Sequence, residues 1–75
     1  MLSKQQYEQL APYAGLIKLA ADSRSVASTV PYEAMANVHY ARGGAPLNGY
    51  CGGCVLELYT TMARLIREYE LNINQ

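Results

Sequence analysis

The sequence predicts an all-α domain of three helices, with the first helix kinked and a glycine-rich loop before the last. Three observations carry this expectation. Apolar residues recur at spacings of three and four in three separate stretches, the mark of a helix with one buried face. No stretch alternates apolar and polar residues with the two-residue period of a strand, and no internal repeat or low-complexity segment occurs. Clusters of Ser, Thr and Asp and a glycine pair fall between the periodic stretches, where chain reversals belong.

The first helix begins at Ser3, because Ser3 followed by Gln6 matches a capping box in which each side chain satisfies an orphan group at the helix end. Tyr7, Leu10, Ala14, Ile17 and Ala21 then form its apolar stripe. Pro12 interrupts the pattern. It has no N–H to donate to residue 8 and its ring crowds that carbonyl, which predicts a kink or restart near Leu10–Ala11. The helix is expected to end by Asp22 or Ser23.

Cap-forming residues follow at 22–25 and at Ser28-Thr29, with a short turn of its own at 26–29, and Pro31 suits a first helical turn. Val30, Ala34, Val38 and Ala41 make the stripe of the second helix, with Met35 beside them. Gly43-Gly44 supplies the stop, since glycine tolerates the left-handed conformation after a helix end.

In the third helix Val55, Leu58, Met62, Leu65 and Tyr69 alternate by three and four, widened by Leu56, Tyr59, Ala63 and Ile66. Glu57, Thr61, Arg64 and Glu68 form the opposite, solvated face, with Arg64 and Glu68 spaced for an ion pair of a few tenths of a kcal/mol. Residues 71–75 read as a polar tail that frays.

Residues 1–75 make one domain, and a chain this short buries only about 60–65% of its unfolded surface. Hydrophobic residues reach 51%, which excludes disorder, while charged residues stop at 16% against roughly 25% in an average soluble domain. So few charges suit a protein that hides part of its surface in a homo-oligomer. Six basic residues balance six acidic ones. A neutral chain lacks the counterion-release term behind non-specific nucleic-acid affinity, so general nucleic-acid binding is disfavoured. The start has no apolar signal core, no run reaches about 18 apolar residues, and two cysteines in one motif are not a secreted disulfide framework. These features predict a cytoplasmic protein without a membrane span.

Cys51-Gly52-Gly53-Cys54 has three readings. A helix N-terminus stabilises a thiolate, which would make the pair redox-active, although the strand and longer α/β context of thioredoxin-like motifs are missing. A structural zinc site wants four ligands; Cys51 and Cys54 supply two, leaving His39 with Glu33 or Glu57, or a second chain. The third reading, small thiols buried where the loop packs on the bundle, is the expected one. His39, beside the stripe of the second helix, reads as a half-buried, hydrogen-bonded residue at the core edge. No Ser, Asp or Glu stands at a spacing that would make it a triad base, and the carboxylates are scattered, with Glu68 and Glu70 in a terminal turn. The chain is expected to be no enzyme and to use no cofactor.

Seven tyrosines occur with no Phe or Trp. Tyr7 and Tyr69 lie on core stripes in place of phenylalanine, their hydroxyls reaching the rim. Tyr40 and Tyr50 flank the glycine loop, and Arg42 is next to its first glycine. A stacking face, a guanidinium and free amides leading into a helix suit an anionic, nucleotide-like ligand, with Tyr40, Arg42, Gly43, Gly44, Asn48, Tyr50, Gly52 and Gly53 as the binding set. The loop matches neither phosphate-binding glycine fingerprint, and the same glycines would equally serve a tight connector.

Gly43-Gly44, Pro46-Leu47-Asn48, Tyr50-Cys51, the run from Cys54 to Leu58 and the Leu65-Ile66…Tyr69 ending resemble small helical proteins encoded by tailed phages and prophages of gut Bacteroidetes-type bacteria. The resemblance covers the C-terminal half. That family has no assigned activity, so no residue roles transfer. It implies a phage accessory setting in the host cell, in which a small oligomer sequesters a ligand or blocks a host protein as an anti-defence device. A structural or DNA-packaging component is the remaining alternative, which the neutral charge disfavours.

Overall fold

Ser3 opens the first helix as its spacing to Gln6 predicts. Its Oγ accepts the Gln6 N–H at 3.1 Å, and Gln6 Oε1 accepts the Ser3 N–H at 3.0 Å. Leu2, just before the cap, is buried in the core, at the position of a hydrophobic staple. The computed structural model describes residues 2–24, 31–47 and 51–73. Helix α1 (Lys4–Leu10) gives way to a single 3₁₀ turn at Ala11–Tyr13, and helix α2 (Ala14–Ser23) continues from it. Pro12 lies in that turn and cannot complete the ladder to residue 8, so the kink falls where its chemistry requires.

Helix α2 ends on Arg24, a left-handed residue (φ 54°) whose N–H bonds back to Ala20 and Ala21. A left-handed C-cap normally falls to glycine. The expected turn at 26–29, the caps at Ser28 and Thr29, and Val30 lie outside the described residues.

Pro31 caps helix α3 (Tyr32–Ala41) from outside, and its carbonyl accepts the Met35 N–H at 3.2 Å. The buried stripe of α3 differs from the expected one. Met35 and Val38 are fully buried, Ala34 is half-buried and Ala41 is exposed. With one short helix resting on a longer one, the larger Met35 side chain takes the central seat.

Helix α4 (Gly52–Ile73) is the spine: at about 1.5 Å per residue its 22 residues span roughly 33 Å, most of the 38 Å length of the molecule. Val55, Leu58, Tyr59, Met62, Ala63, Leu65 and Ile66 are buried along it, as the periodicity predicts. Leu10, Ala14, Ile17 and Ala20 meet this face from α1 and α2. Two departures stand out. Residues 71–73 do not fray but stay helical, with the Asn72 amide donating to the Glu68 carbonyl at 2.8 Å. The ion pairs among the described residues run across the α2–α4 seam, Lys18–Glu70 at 2.8 Å and Arg67–Asp22 at 2.9 Å; the expected pair along α4, Arg64–Glu68, is not among them. Both seam pairs fit antiparallel packing of α2 on α4.

The all-α fold is thus as expected: among the described residues it has three helical arms, the first bent at Pro12, and no strand. No helix among them is long and apolar enough to cross a membrane.

Candidate functional site

The turn after α3 is built almost entirely from backbone. Gly43 adopts φ 79° and its N–H bonds to the Tyr40 carbonyl at 3.0 Å, while the Gly44 N–H bonds to the His39 carbonyl at 2.9 Å. These are the two bonds of a Schellman motif, so the glycine pair ends the helix as predicted. Gly43 is held to glycine by its left-handed backbone, Gly44 by a contact. A Cβ there would overlap the His39 imidazole, which lies directly against it.

His39 holds the segment that follows. Its Nε2 is 2.7 Å from the Ala45 carbonyl, and since a carbonyl only accepts, Nε2 carries the proton. His39 is therefore the half-buried, hydrogen-bonded edge residue that its sequence position suggests. Tyr40 supports the same segment, its hydroxyl accepting the Leu47 N–H at 3.0 Å. Residues 45–47 consequently arch beside α4, with Ala45 and Pro46 exposed and Leu47 packed against the core. The arch encloses a cleft of about 280 Å³ lined by His39, Ala45, Pro46, Leu47, Cys54, Glu57, Leu58 and Thr61.

Cys54 is part of the cleft wall, and the two cysteines correct an expectation. They are not buried thiols: the structure joins Cys51 to Cys54 as a disulfide, with Cys51 half-buried and Cys54 exposed. The physical reason is local. Cys51 precedes the first turn of α4, and that helical turn brings residues 51 and 54 to a Cα separation of 5.2 Å. Cys51 also caps that helix, its sulfur accepting the Cys54 N–H at 3.2 Å and its carbonyl accepting the Val55 N–H at 3.0 Å. Among the described residues no three His, Cys, Asp or Glu side chains gather as a metal site, so Cys51, Cys54 and His39 do not converge as ligands.

The predicted anion-binding residues are spread over two surfaces. Arg42 turns away from the cleft and reaches Gln6 Oε1 of α1 at 3.5 Å. Tyr40 keeps an exposed ring, but its hydroxyl is engaged by Leu47. Gly43 and Gly44 spend their amides on closing α3, while Gly52 and Gly53 lie exposed in the first turn of α4. Asn48 and Tyr50 lie outside the described residues. Sequence reasoning missed Ala45, Pro46, Leu47, Glu57, Leu58 and Thr61 as one site. A signal existed: 54, 57, 58 and 61 are spaced for a single helix face. Thr61, expected on the solvated face, is half-buried in the cleft wall.

A second polar cluster sits at the other end of α4. Tyr7 and Tyr69 stack at 4.3 Å between ring centroids, the Tyr7 hydroxyl donates to Glu70 at 3.0 Å, and Lys18 donates to the other Glu70 oxygen at 2.8 Å. Glu70 is thus not a solvated tail residue. The Lys18 hydrogen bond holds its carboxyl below the ordinary range, helped by Tyr7, against the opposing effect of burial. The bond to Glu70, with burial and the nearby negative charge, raises the Tyr7 hydroxyl above its ordinary value. Every group in this cluster has a partner, which suits a clamp between α1, α2 and α4.

Comparison with protein-family profiles, curated proteins and solved structures finds no match to this chain.

Proposed function

We propose that this chain is a non-enzymatic helical binding protein, a phage-type accessory that sequesters a small ligand or blocks a host partner through the cleft beside α4. The observation that carries this is the cleft itself. Ala45, Pro46, Leu47 and Leu58 give it an apolar floor, and His39, Glu57 and Thr61 give it a polar rim. Apolar walls with a few convergent polar groups are the usual make-up of small-molecule sites. The rim favours a ligand with an apolar body and a donor or cationic group, because Glu57 offers a carboxylate while His39 has committed its N–H to Ala45.

An anionic, nucleotide-like ligand is the second reading, and one observation favours it: exposed Gly52 and Gly53 at the positive end of a 22-residue helix. Against it, the Gly43, Gly44, Leu47 and Cys54 amides already have acceptors. Self-association goes with either reading. Tyr13, Leu16 and Leu19 recur every third residue and stay exposed, which supports a face for a second copy.

Calorimetric titration separates these readings. The panel is mono-, di- and cyclic nucleotides, short single strands, and small amines with apolar bodies. A cleft ligand should lose at least about tenfold in affinity, near 1.4 kcal/mol, on Thr61→Phe and be indifferent to Arg42→Ala. Loss on Arg42→Ala with Thr61→Phe unaffected would favour the anionic ligand. Affinity unchanged in both variants would remove the cleft from the binding surface. Light scattering that finds only single 8.3 kDa chains at micromolar concentration and above would remove the oligomer.

A further inference from the structure

The Cys51–Cys54 bond meets the cleft through Cys54 alone, and its two ends lie in different surroundings. Cys54 is exposed and lines the cleft; Cys51 is half-buried, and its sulfur accepts the Cys54 N–H. Cys54, the more exposed residue and the one in the cleft wall, is the end of the bond that offers itself to a thiolate from solvent. The sulfur that must then leave is that of Cys51. It leaves as an anion at a point where a backbone N–H and the positive end of α4 are already directed at it, and a stabilised leaving thiolate departs faster.

We infer that Cys51–Cys54 is a thiol–disulfide exchange site, with Cys54 the attacked sulfur, Cys51 the leaving sulfur, and a small neutral or cationic thiol seated in the cleft as co-substrate. In the first step the incoming thiolate forms a new S–S bond to Cys54 while the Cys51–Cys54 bond breaks, its electron pair going to Cys51. In the second step another thiolate attacks the small-molecule sulfur of that mixed disulfide, releasing a small disulfide and leaving Cys54 as a thiolate. Two thiols are oxidised to one disulfide, and their two electrons and two protons end on Cys51 and Cys54. A small disulfide runs the sequence in reverse. The charge preference comes from Glu57, one turn beyond Cys54 on the same wall, whose carboxylate repels an anionic thiol. The exchange shares its cleft with the ligand proposed above but does not require that ligand, since it needs the disulfide, the cleft wall at Glu57 and access to Cys54.

The test exposes oxidised full-length protein to cysteamine or to mercaptoacetate, quenches with excess N-ethylmaleimide, and maps the products by mass spectrometry while circular dichroism confirms the helices. A short peptide carrying Cys-Gly-Gly-Cys is the reference. The protein disulfide should open at least about tenfold faster with cysteamine than the peptide does. Its cysteamine-to-mercaptoacetate rate ratio should exceed that of the peptide about fivefold, and Glu57→Gln should bring the ratio down to the peptide value. Any adduct should sit on Cys54; where none accumulates, the rates decide. Rates equal to those of the peptide, an adduct on Cys51, or free thiols in protein purified without reductant would each overturn the assignment. Equal rates with the two thiols would overturn the cleft as the seat.

Discussion

At the C-terminal end of α4, side chains from three helices close on one another: Tyr69 stacks on Tyr7, and Glu70 takes both the Tyr7 hydroxyl and the Lys18 ammonium. At its N-terminal end the neighbouring chain is held by backbone caps, the His39–Ala45 bond, the Tyr40–Leu47 bond and a disulfide. The first end spends its side chains on each other. The second is fixed mainly by local bonds, with Leu47 its contact to the core, and a cleft remains between residues 45–47 and α4. The cleft and the disulfide both lie at the end where burial is not the main restraint, and loops fixed by a rigid scaffold are where binding residues concentrate.

The contrast can be broken hardest in the core that both ends share. Ile66 is fully buried at the α4 face, and Ile66→Ala should cost about 2–5 kcal/mol in urea unfolding. A loss below about 1 kcal/mol would mean the spine is not the centre of the fold. Next come the glycines of the arch. Gly44→Ala forces a methyl against the His39 ring and should cost about 1–3 kcal/mol, with the His39 imidazole shifts moving in the NMR spectrum. Gly43→Ala meets no atom but keeps a left-handed backbone, so about 1–2 kcal/mol is expected without movement of His39. Identical spectra for the two variants would remove the distinction between contact and conformation.

The clamp at the other end should respond to pH. Folding lowers the Glu70 pKa, so its contribution is complete above the ordinary glutamate range and is lost as pH falls through the lower folded-state value. Folding raises the Tyr7 pKa, so that contribution is complete below the ordinary tyrosine range and is lost as pH rises through the raised value. Glu70→Ala should cost about 1 kcal/mol at neutral pH and flatten both limbs of a plot of unfolding midpoint against pH. An unchanged acid limb would remove Glu70 from the clamp. The smallest effect belongs to the exposed seam pair. Asp22→Asn should change stability by less than about 0.5 kcal/mol, a difference that 1 M salt erases.

Much of this architecture follows from local rules that act within a few residues. The Ser3–Gln6 box, the break at Pro12, the glycine stop after α3 and the buried stripe of α4 each depend on neighbours one or two turns away, and a linear sequence contains those neighbours. Where a residue must choose among distant partners, local rules are silent. Met35 displaced the alanines from the centre of the α3 face because the opposing helix sets the depth of the seat. Glu70, terminal by position, became the anchor of the clamp because antiparallel packing brings Lys18 and Tyr7 to it.

The sequence by itself determined the helix count, the kink, the Ser3–Gln6 cap, the glycine stop after α3 and the adjacency of Cys51 to a helix start, since these follow from backbone chemistry and spacing. Only the tertiary structure decided which way Arg42 points, that Cys54 faces outward, and that His39, the 45–47 arch and the 54–61 face of α4 enclose one cleft. Those outcomes depend on how the end of α3 is set against α4, a relation between residues far apart in sequence that no local period encodes.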